Sequence, residues 1–233
     1  MKFTILVPVW GRYETLKLFN DCVIRLQEDY DINVVAVGSS EADKKVCESY
    51  GYHYTQAPNK PLGGKLNKGL DVCKDLDSDA FIMLGSDDIL SSNLLNYYAQ
   101  QINKGFDFVG FLDCYFYDLN SKNMIYWKGY RGERSGEPIG AWRCLSRGLL
   151  ESLNWEAWDN QHHSIDYTMW NKLKNVKKHV TTSKNKFLIV DLKNEDNVTK
   201  FRKFDNSEIV HAKTIFNQYL PKIETLKILE YGK

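Results

Sequence analysis

Two adjacent carboxylates follow a short apolar segment near the middle of the chain. Residues 81–84 are all apolar, which predicts a strand buried on both faces, as in a parallel sheet. Gly85, Ser86, Asp87 and Asp88 come directly after it. Ligands of open α/β sheets bind at the carboxyl ends of the strands, where two aspartates suit a hard divalent cation that holds phosphate oxygens. The alternative is structural, with Ser86 and Asp88 forming a turn and capping a following helix.

The elements that must position these carboxylates alternate between strands and helices. Apolar patterns predict strands over residues 3–9, 33–37, 52–55 and 81–84, and helices over residues 14–27, 42–50, 65–73 and 93–104. We expect Ser91 and Ser92 to cap the last of these helices. Strands that alternate with helices of roughly ten residues predict right-handed βαβ units and a parallel sheet.

The pattern changes after residue 105. Residues 106–117 and 124–127 flank a turn-rich segment and predict an antiparallel hairpin. Residues 128–140 hold four glycines, Arg131 and Arg134, and predict a loop that either approaches an anion or is a mobile surface loop. The remaining patterns predict short helices over 146–153 and 164–176, a last clear strand over 187–192, and a helical tail over 214–231 interrupted at Pro221.

Composition is compatible with one domain and is uneven in charge. The 233 residues suffice for a large core, and the hydrophobic content of 43% excludes a wholly disordered chain. Residues 1–166 carry 17 Lys and Arg against 23 Asp and Glu, whereas residues 167–233 carry 14 against 7. This basic C-terminal third could meet an anionic acceptor, nucleic acid or a lipid surface, or could be a solvated face.

The five cysteines are widely spaced and include no Cys-x-x-Cys pair. This argues against a disulfide framework and a zinc site, and favours a reducing compartment. No window approaches the ~18 apolar residues that a membrane span requires. We therefore expect a soluble cytoplasmic protein without a transmembrane segment, which could associate peripherally with a membrane.

Five motifs in order resemble the GT-A glycosyltransferases, specifically the large family 2. They are residues 5–12, 58–70, 84–88, 139–147 and 165–170. The first resembles the family's opening strand and loop, where the donor base lies, and the second its Asn-x-Gly-Leu-Gly-x-x-Arg-Asn-x-Gly segment. The third resembles the DXD region, and the last two resemble the acceptor-side strand, helix and Glu-Asp motif. The resemblance covers residues 3–175.

This resemblance implies an α/β, Rossmann-like GT-A fold, with a mostly parallel sheet flanked by helices and an antiparallel hairpin in the acceptor-side half. The single domain would comprise a nucleotide-sugar-binding half (1–105), an acceptor and catalytic half (106–180) and a basic C-terminal extension (181–233). The implied activity is metal-dependent, inverting transfer of a sugar, hexosyl in type, from a nucleotide-sugar donor to an acceptor hydroxyl. Mn²⁺ or Mg²⁺ would be the cofactor and a UDP-sugar the first choice of donor. The acceptor stays open between a glycan, a lipid, a small molecule and a modified nucleic-acid base.

The resemblance also implies roles for particular residues. Asp166 would be the catalytic base, and Asp87 and Asp88 would hold the metal, with His211 as an additional ligand. The implied donor-binding residues are Pro8, Trp10, Arg12, Gly38, Ser39, Lys65, Asn67, Ser86 and Arg143. Structural alternatives are helix-dipole stabilisation for Asp166 and a plain structural role for His211. Softer candidates are Trp127, Trp142 and Trp170 as ring-stacking or core residues, and His162 and His163, which lack a third partner at zinc spacing.

Four positions depart from the family pattern. Gly85 replaces the first aspartate of DXD, and the base-binding aspartate is missing after the second strand. Leu66 replaces the arginine of Arg-Asn-x-Gly, with Lys65 beside it as a substitute, and Ile165 replaces the glutamate of Glu-Asp. Two other functions compete: a sugar-nucleotide nucleotidyltransferase, whose glycine-rich Arg and Lys segment is absent from residues 10–13, and an inactive GT-A binding module, which Gly85 and Ile165 favour.

Overall fold

The computed structural model describes residues 1–195, 197, 201 and 206–232. The helices are α1 (Tyr13–Gln27), α2 (Glu41–Ser49), α3 (Leu62–Cys73), α4 (Asn93–Asn103), α5 (Arg147–Ser152), α6 (Ile165–Lys172), α7 (Ala212–Tyr219) and α8 (Lys222–Leu229). The strands are β1 (Phe3–Pro8), β2 (Ile32–Gly38), β3 (His53–Gln56), β4 (Ala80–Met83), β5 (Asp88–Leu90), β6 (Phe108–Phe111), β7 (Cys114–Asp118), β8 (Met124–Trp127), β9 (Arg143–Ser146), β10 (Lys178–Thr181), β11 (Ile189–Lys193) and β12 (Ser207–Val210). No helix in this described part of the chain is both long and apolar enough to cross a bilayer.

A seven-stranded sheet forms the centre of the molecule, in the order β10-β6-β9-β4-β1-β2-β3. All of its pairs are parallel except those of β9, which runs antiparallel to both β4 and β6. Successive residues of β1 point to opposite faces, so Ile5 and Val7 join one hydrophobic cluster and Leu6 joins the other. The first cluster includes apolar residues of α1, and the second includes apolar residues of α3, α5 and α6. The predicted α/β fold with a mostly parallel sheet flanked by helices is therefore confirmed.

A second sheet has five strands, in the order β12-β8-β7-β11-β5. The predicted hairpin is present as the antiparallel pair β7–β8. Residues 106–117, predicted as the first part of this hairpin, are divided between two strands, because the chain changes sheets between β6 and β7. Asp113 fixes this break: its carboxylate accepts hydrogen bonds from the backbone N–H of Ser183 at 2.5 Å and from the hydroxyl of Tyr126 at 2.6 Å.

Three further expectations about elements need correction. Residues 187–192 were predicted to be the last strand, but β12 follows and pairs with β8. Ser92 does not cap α4 through its side chain, since its hydroxyl accepts from Arg25 at 2.6 Å instead. Helix α3 also begins at Leu62, three residues earlier than predicted. This earlier start shortens the loop ahead of α3 and brings the helix N-terminus close to the end of β1.

Candidate functional site

Three aspartates converge where the two sheets meet. Strand β4 ends at Met83, and after a short turn Asp88 opens β5 rather than the helix that the structural alternative required. Antiparallel pairing of β5 with β11 sets Asp191 opposite Asp88. As a result, carboxylate oxygens of Asp87, Asp88 and Asp191 all lie within 4.8 Å of one another. The sequence predicted two aspartates at this position, and the pairing of two distant strands adds a third.

Asp87 and Asp88 are buried, Asp191 is half-buried, and the three carboxylates lie close enough to repel one another. Burial and then the charge of Asp191 raise the pKa of Asp88 well above its usual value, and burial followed by Asp87 raises that of Asp191 to about 7. Lys193 offsets part of this charge, with its ammonium 2.5 Å from the carboxylate of Asp191. Oδ1 of Asp191 nevertheless has no hydrogen-bond partner among the described residues. Three close carboxylates with an orphaned oxygen fit a divalent cation, because such an ion would relieve both conditions.

The turn after β1 directs Arg12 onto this cluster. Gly11 and Arg12 both adopt left-handed backbone angles, with φ of 62° and 54°. From there Arg12 donates to the carboxylate of Asp87 at 2.7 Å and to the hydroxyl of Ser86 at 3.0 Å. The turn is held by Asp43 of α2, which accepts from the backbone N–H of Gly11 at 3.0 Å.

Lys65 is buried beneath the same turn. Its ammonium donates to the carbonyl of Val9 at 2.7 Å, the hydroxyl of Ser39 at 2.9 Å and the amide oxygen of Asn59 at 3.1 Å. Burial lowers the pKa of Lys65 to about 8, although the carboxylate of Asp43 acts in the opposite direction. Because protein acceptors take three hydrogen bonds from this ammonium, Lys65 offers charge to the site rather than a free donor.

Asp166, at the start of α6, lies across the site from the trio. Its side chain is 40% exposed, and a Cβ on Gly140 would come within 2.2 Å of its carboxylate. Residue 140 must therefore be glycine for Asp166 to hold this position. Arg143 fixes both segments from below, because its guanidinium donates to the carbonyls of Ile139 at 2.8 Å and of Asp166 at 3.2 Å.

Asp166 lines three cavities. One of about 380 Å³ also contains Asp191, Lys193 and an aromatic lining of Phe116, Trp127, Tyr130 and Trp142. A second of about 160 Å³ reaches Gly85, and a third of about 450 Å³ contains Tyr130, Glu133, Arg134, Ser164 and Tyr167. Arg134 lies 3.6 Å above the ring of Tyr130 and pairs with Glu137, so this arginine is engaged within the protein.

A fourth cavity, of about 420 Å³, is bordered by Arg12. Its lining consists of Pro8, Val9, Trp10, Arg12, Asn59, Lys60, Leu62, Lys65, His162 and His163. Four predicted donor-binding residues are in this lining: Pro8, Trp10 and Arg12, which precede α1, and Lys65. Trp10 is 62% exposed and offers a flat apolar face at the rim. Arg12, which contacts Asp87, links this cavity to the trio.

Several predicted site residues have other roles in the structure. His211 is not part of the carboxylate trio and instead accepts from Thr214 at the N-terminus of α7. Asn67 exchanges two hydrogen bonds with the backbone of Trp158, so both ends of its amide are used. Arg143 is fully buried and bonds to carbonyls. The structure therefore does not support metal binding by His211, donor contact by Asn67 or phosphate contact by Arg143.

The loop after β2 supports the site indirectly. A Cβ on Gly38 would come within 2.5 Å of the ring of Tyr54, so a side chain does not fit there. Ser39 accepts from Lys65, and its own N–H donates to Asp43 at 2.8 Å. Neither residue is in the lining of the fourth cavity. Ser39 therefore helps to hold Lys65 and Asp43 in place.

The structure adds Asp191, Lys193 and Asp43 to the residues that motifs identified. Asp191 and Lys193 interrupt an otherwise apolar strand, and charged residues are rarely buried unless they are paired. These charged residues in an apolar strand were the sequence signal that could have identified Asp191 and Lys193 as site residues. Asp43 carried only the signal of a carboxylate in the first turn of a helix, which is also explained by the helix dipole.

Solved structures with the same fold include glycosyltransferases. Residues 1–349 of TarS from S. aureus match with a TM-score of 0.58 and 16% identity, over 82% of this chain and 60% of that one. Glucosyl-3-phosphoglycerate synthase from Mycobacterium tuberculosis, in complex with Mn²⁺, UDP-glucose and phosphoglyceric acid, matches with a TM-score of 0.53 and 12% identity, over 78% of this chain and 69% of that one. No family model and no curated protein sequence matches the chain.

These matches establish the fold. The chain has the GT-A fold of glycosyltransferases, as the five motifs indicated. Identities of 12–16% do not carry a reaction or a substrate from one protein to another. The chain also spans only 60% of the TarS fragment that it matches. Family 2 membership and the division at residues 105 and 180 stay predictions.

Proposed function

We propose that this chain, which has the GT-A fold, is a metal-dependent glycosyltransferase that inverts the anomeric carbon. A sugar would pass from a nucleotide-sugar donor, a UDP-sugar first, to the hydroxyl of an acceptor. The observation that carries the proposal is the cavity of about 380 Å³, whose lining includes both Asp166 and Asp191. A proton acceptor and a member of the cation-binding trio thus border one space in which a reacting sugar can lie.

Asp87, Asp88 and Asp191 would hold Mn²⁺ or Mg²⁺. When bound, such an ion supplies charge neutralisation for the departing nucleoside diphosphate, which then needs no proton donor. Two protein cations adjoin this trio: Arg12 contacts Asp87 and Lys193 contacts Asp191. Both would lie beside the diphosphate and add to the favourable field that it meets.

Asp166 would accept the proton of the acceptor hydroxyl. Its carboxylate is partly exposed, borders the aromatic cavity and is held by Gly140 and Arg143. A carboxylate fixed in this way can take the hydroxyl proton while the acceptor oxygen bonds to the anomeric carbon from the side opposite the leaving nucleoside diphosphate, which produces inversion. Trp127, Tyr130 and Trp142 offer apolar faces for the sugar or the acceptor ring.

The test is a screen of nucleotide-sugars with Mn²⁺ for released nucleoside diphosphate. We expect release from one donor by the wild type. Asp166→Asn should bind that donor with unchanged affinity and lose transfer by roughly 10²–10⁴-fold, the usual contribution of a general base. Asp87→Asn should lose metal-dependent donor binding. Asp75→Asn, an exposed aspartate outside the site, is the matched control and should behave as wild type.

Three results would contradict the proposal. Full transfer by Asp166→Asn would exclude this carboxylate as the base. Pyrophosphate release from a nucleoside triphosphate, with no release of nucleoside diphosphate from any sugar donor, would identify a nucleotidyltransferase instead. Neither activity, together with retained metal and nucleotide binding, would identify a binding module.

A further inference from the structure

Two neighbouring histidines, His162 and His163, have no role in the chemistry proposed above. Both line the cavity of about 420 Å³, and their ring centroids are 4.8 Å apart. Nδ1 of His162 is buried and has no hydrogen-bond partner in the described part of the chain. Buried polar atoms of proteins are almost always paired, so this nitrogen is available to a ligand or a water in the cavity.

The lining of this cavity is cationic. Arg12, Lys60 and Lys65 line it with the two histidines, and no aspartate or glutamate is among the described residues of its lining. Burial lowers the pKa of His162, and the neighbouring His163 and Lys60 lower it further. Like charges that are held together in a partly enclosed space favour an anion, which would remove their mutual repulsion.

The histidine segment is fixed against the N-terminus of α3. The backbone N–H of Gly63 donates to the carbonyl of Gln161 at 3.0 Å, and a Cβ on Gly63 would lie 1.9 Å from the carbonyl oxygen of Asp159. No side chain caps α3, which begins at Leu62 beside the cavity. The positive end of the helix dipole therefore adds to the charge of the side chains.

We propose that His162, His163 and Lys60 form an anion-binding wall for the diphosphate of the nucleotide donor and of the departing nucleoside diphosphate. This inference rests on the proposed function and adds three residues that the motifs did not assign to the donor. Arg12 connects the wall to the carboxylate trio, so one diphosphate can meet both. Pro8, Val9 and Trp10 supply an apolar side of the cavity for the base.

Proton uptake on ligand binding would distinguish histidines that bind an anion from histidines that only pack against their neighbours. The charged groups that face the two histidines are Arg12, Lys60 and Lys65, while Asp159 on the same loop is paired with Lys172 at 2.7 Å. Burial and the neighbouring His163 and Lys60 lower the pKa of His162, so its neutral form is favoured without a ligand. A bound diphosphate favours the imidazolium form and would make binding take up protons near neutral pH.

The experiment is calorimetric titration of the full chain with UDP, and separately with inorganic pyrophosphate, in EDTA so that the carboxylate trio does not contribute. The variants are the double substitution His162→Gln with His163→Gln, and Lys60→Gln. Each should bind both probes at least roughly tenfold more weakly, the scale of a lost charge-assisted contact. Repeating the titration near pH 7 in buffers of different ionisation enthalpy should detect proton uptake by the wild type and not by the double variant. His53→Gln, an exposed histidine outside the cavity, is the matched control.

Wild-type affinity and proton uptake in folded variants would overturn the proposal, as would a wild type that binds neither probe. Thermal unfolding of each variant checks that it folds, and Lys60→Gln tests the wall if the double variant does not. Histidine-dependent binding of UDP without transfer from any nucleotide-sugar would leave the anion wall standing and reject the transferase. If the three substitutions leave both transfer and UDP affinity unchanged, the transferase stands and the anion wall is rejected.

Discussion

Arg143 shows how the structure can favour another role for a residue that the motifs single out. The family resemblance predicted that it binds the donor phosphates. Sequence alone, however, does not distinguish an exposed arginine that binds a ligand from a buried arginine that binds the backbone. In the structure it is fully buried, and its guanidinium holds the carbonyls of Pro138, Ile139 and Asp166. Its role toward the reaction is therefore positional, since it fixes the loop and the helix that carry Gly140 and Asp166.

Replacing Arg143 with lysine tests this positional role. Lysine keeps the charge but lacks the planar fork, so some of these buried carbonyls lose their donors, at about 1–3 kcal/mol each. We expect a lower melting temperature and a kcat lowered by roughly 10–100-fold, since small misplacement of a catalytic group is costly. The KM for the donor should stay unchanged. A raised donor KM with unchanged kcat would instead restore Arg143 as a phosphate ligand.

A second prediction at the residue scale concerns Lys65 and the pH dependence of the free energy of unfolding. Burial lowers its pKa to about 8 from a usual value of 10.5. Between these values the unfolded chain holds the proton and the folded chain releases it, so the free energy of unfolding should rise with pH across this window. Relative to Lys65→Met, the wild type should gain on the order of 3 kcal/mol from pH 8 to 10.5. Urea unfolding of both proteins across that range measures the difference, and parallel pH curves would show that Lys65 does not titrate there.

The elements of the N-terminal half could be predicted, and those of the second sheet only in part. Strands β1, β2 and β4 are continuous apolar runs between helices with clear stripes, and these patterns depend on local sequence alone. The second sheet depends on pairing between distant segments, such as β5 with β11 and β8 with β12. Short strands of three to five residues carry little periodic signal, and the register that sets Asp191 beside Asp88 is not written in either segment.

At the element scale, a prediction concerns Gly140, which ends the loop over 128–140 shortly before β9. A methyl group on Gly140 would come within 2.2 Å of the Asp166 carboxylate, the far end of a short side chain that can rotate away. Gly140→Ala should therefore leave unfolding nearly unchanged while transfer falls by about 100-fold, because the base is displaced. Gly148→Ala in α5 is the matched control: nothing lies within 4 Å of its Cβ position, so stability should rise slightly and activity should persist. Equal activity of the two variants would remove Asp166 from the reaction.

At the scale of the whole molecule, the site depends on both sheets. Arg12 follows β1 of the central sheet, Asp88 and Asp191 belong to the second sheet, and Asp166 begins a helix packed against the central one. No single segment holds the site, so its assembly requires the register of β5 with β11. This division also explains why motifs near the strand ends identified Asp87 and Asp166, whereas Asp191 required the fold.

Ligand binding should therefore stabilise the whole chain through Asp191. At 100 times its Kd, UDP with Mn²⁺ should stabilise the wild type by about 2.7 kcal/mol, which for a chain of this size raises the melting temperature by roughly 5–10 °C. Asp191→Asn removes one carboxylate from the trio and leaves Lys193 without its nearest partner, so its melting temperature without ligand should already be lower. The decisive quantity is the shift that ligand produces relative to each protein alone, which Mn²⁺ should no longer enhance in Asp191→Asn. Asp75→Asn should show the full wild-type shift, and a full shift in Asp191→Asn as well would mean that the cation is held without the second sheet.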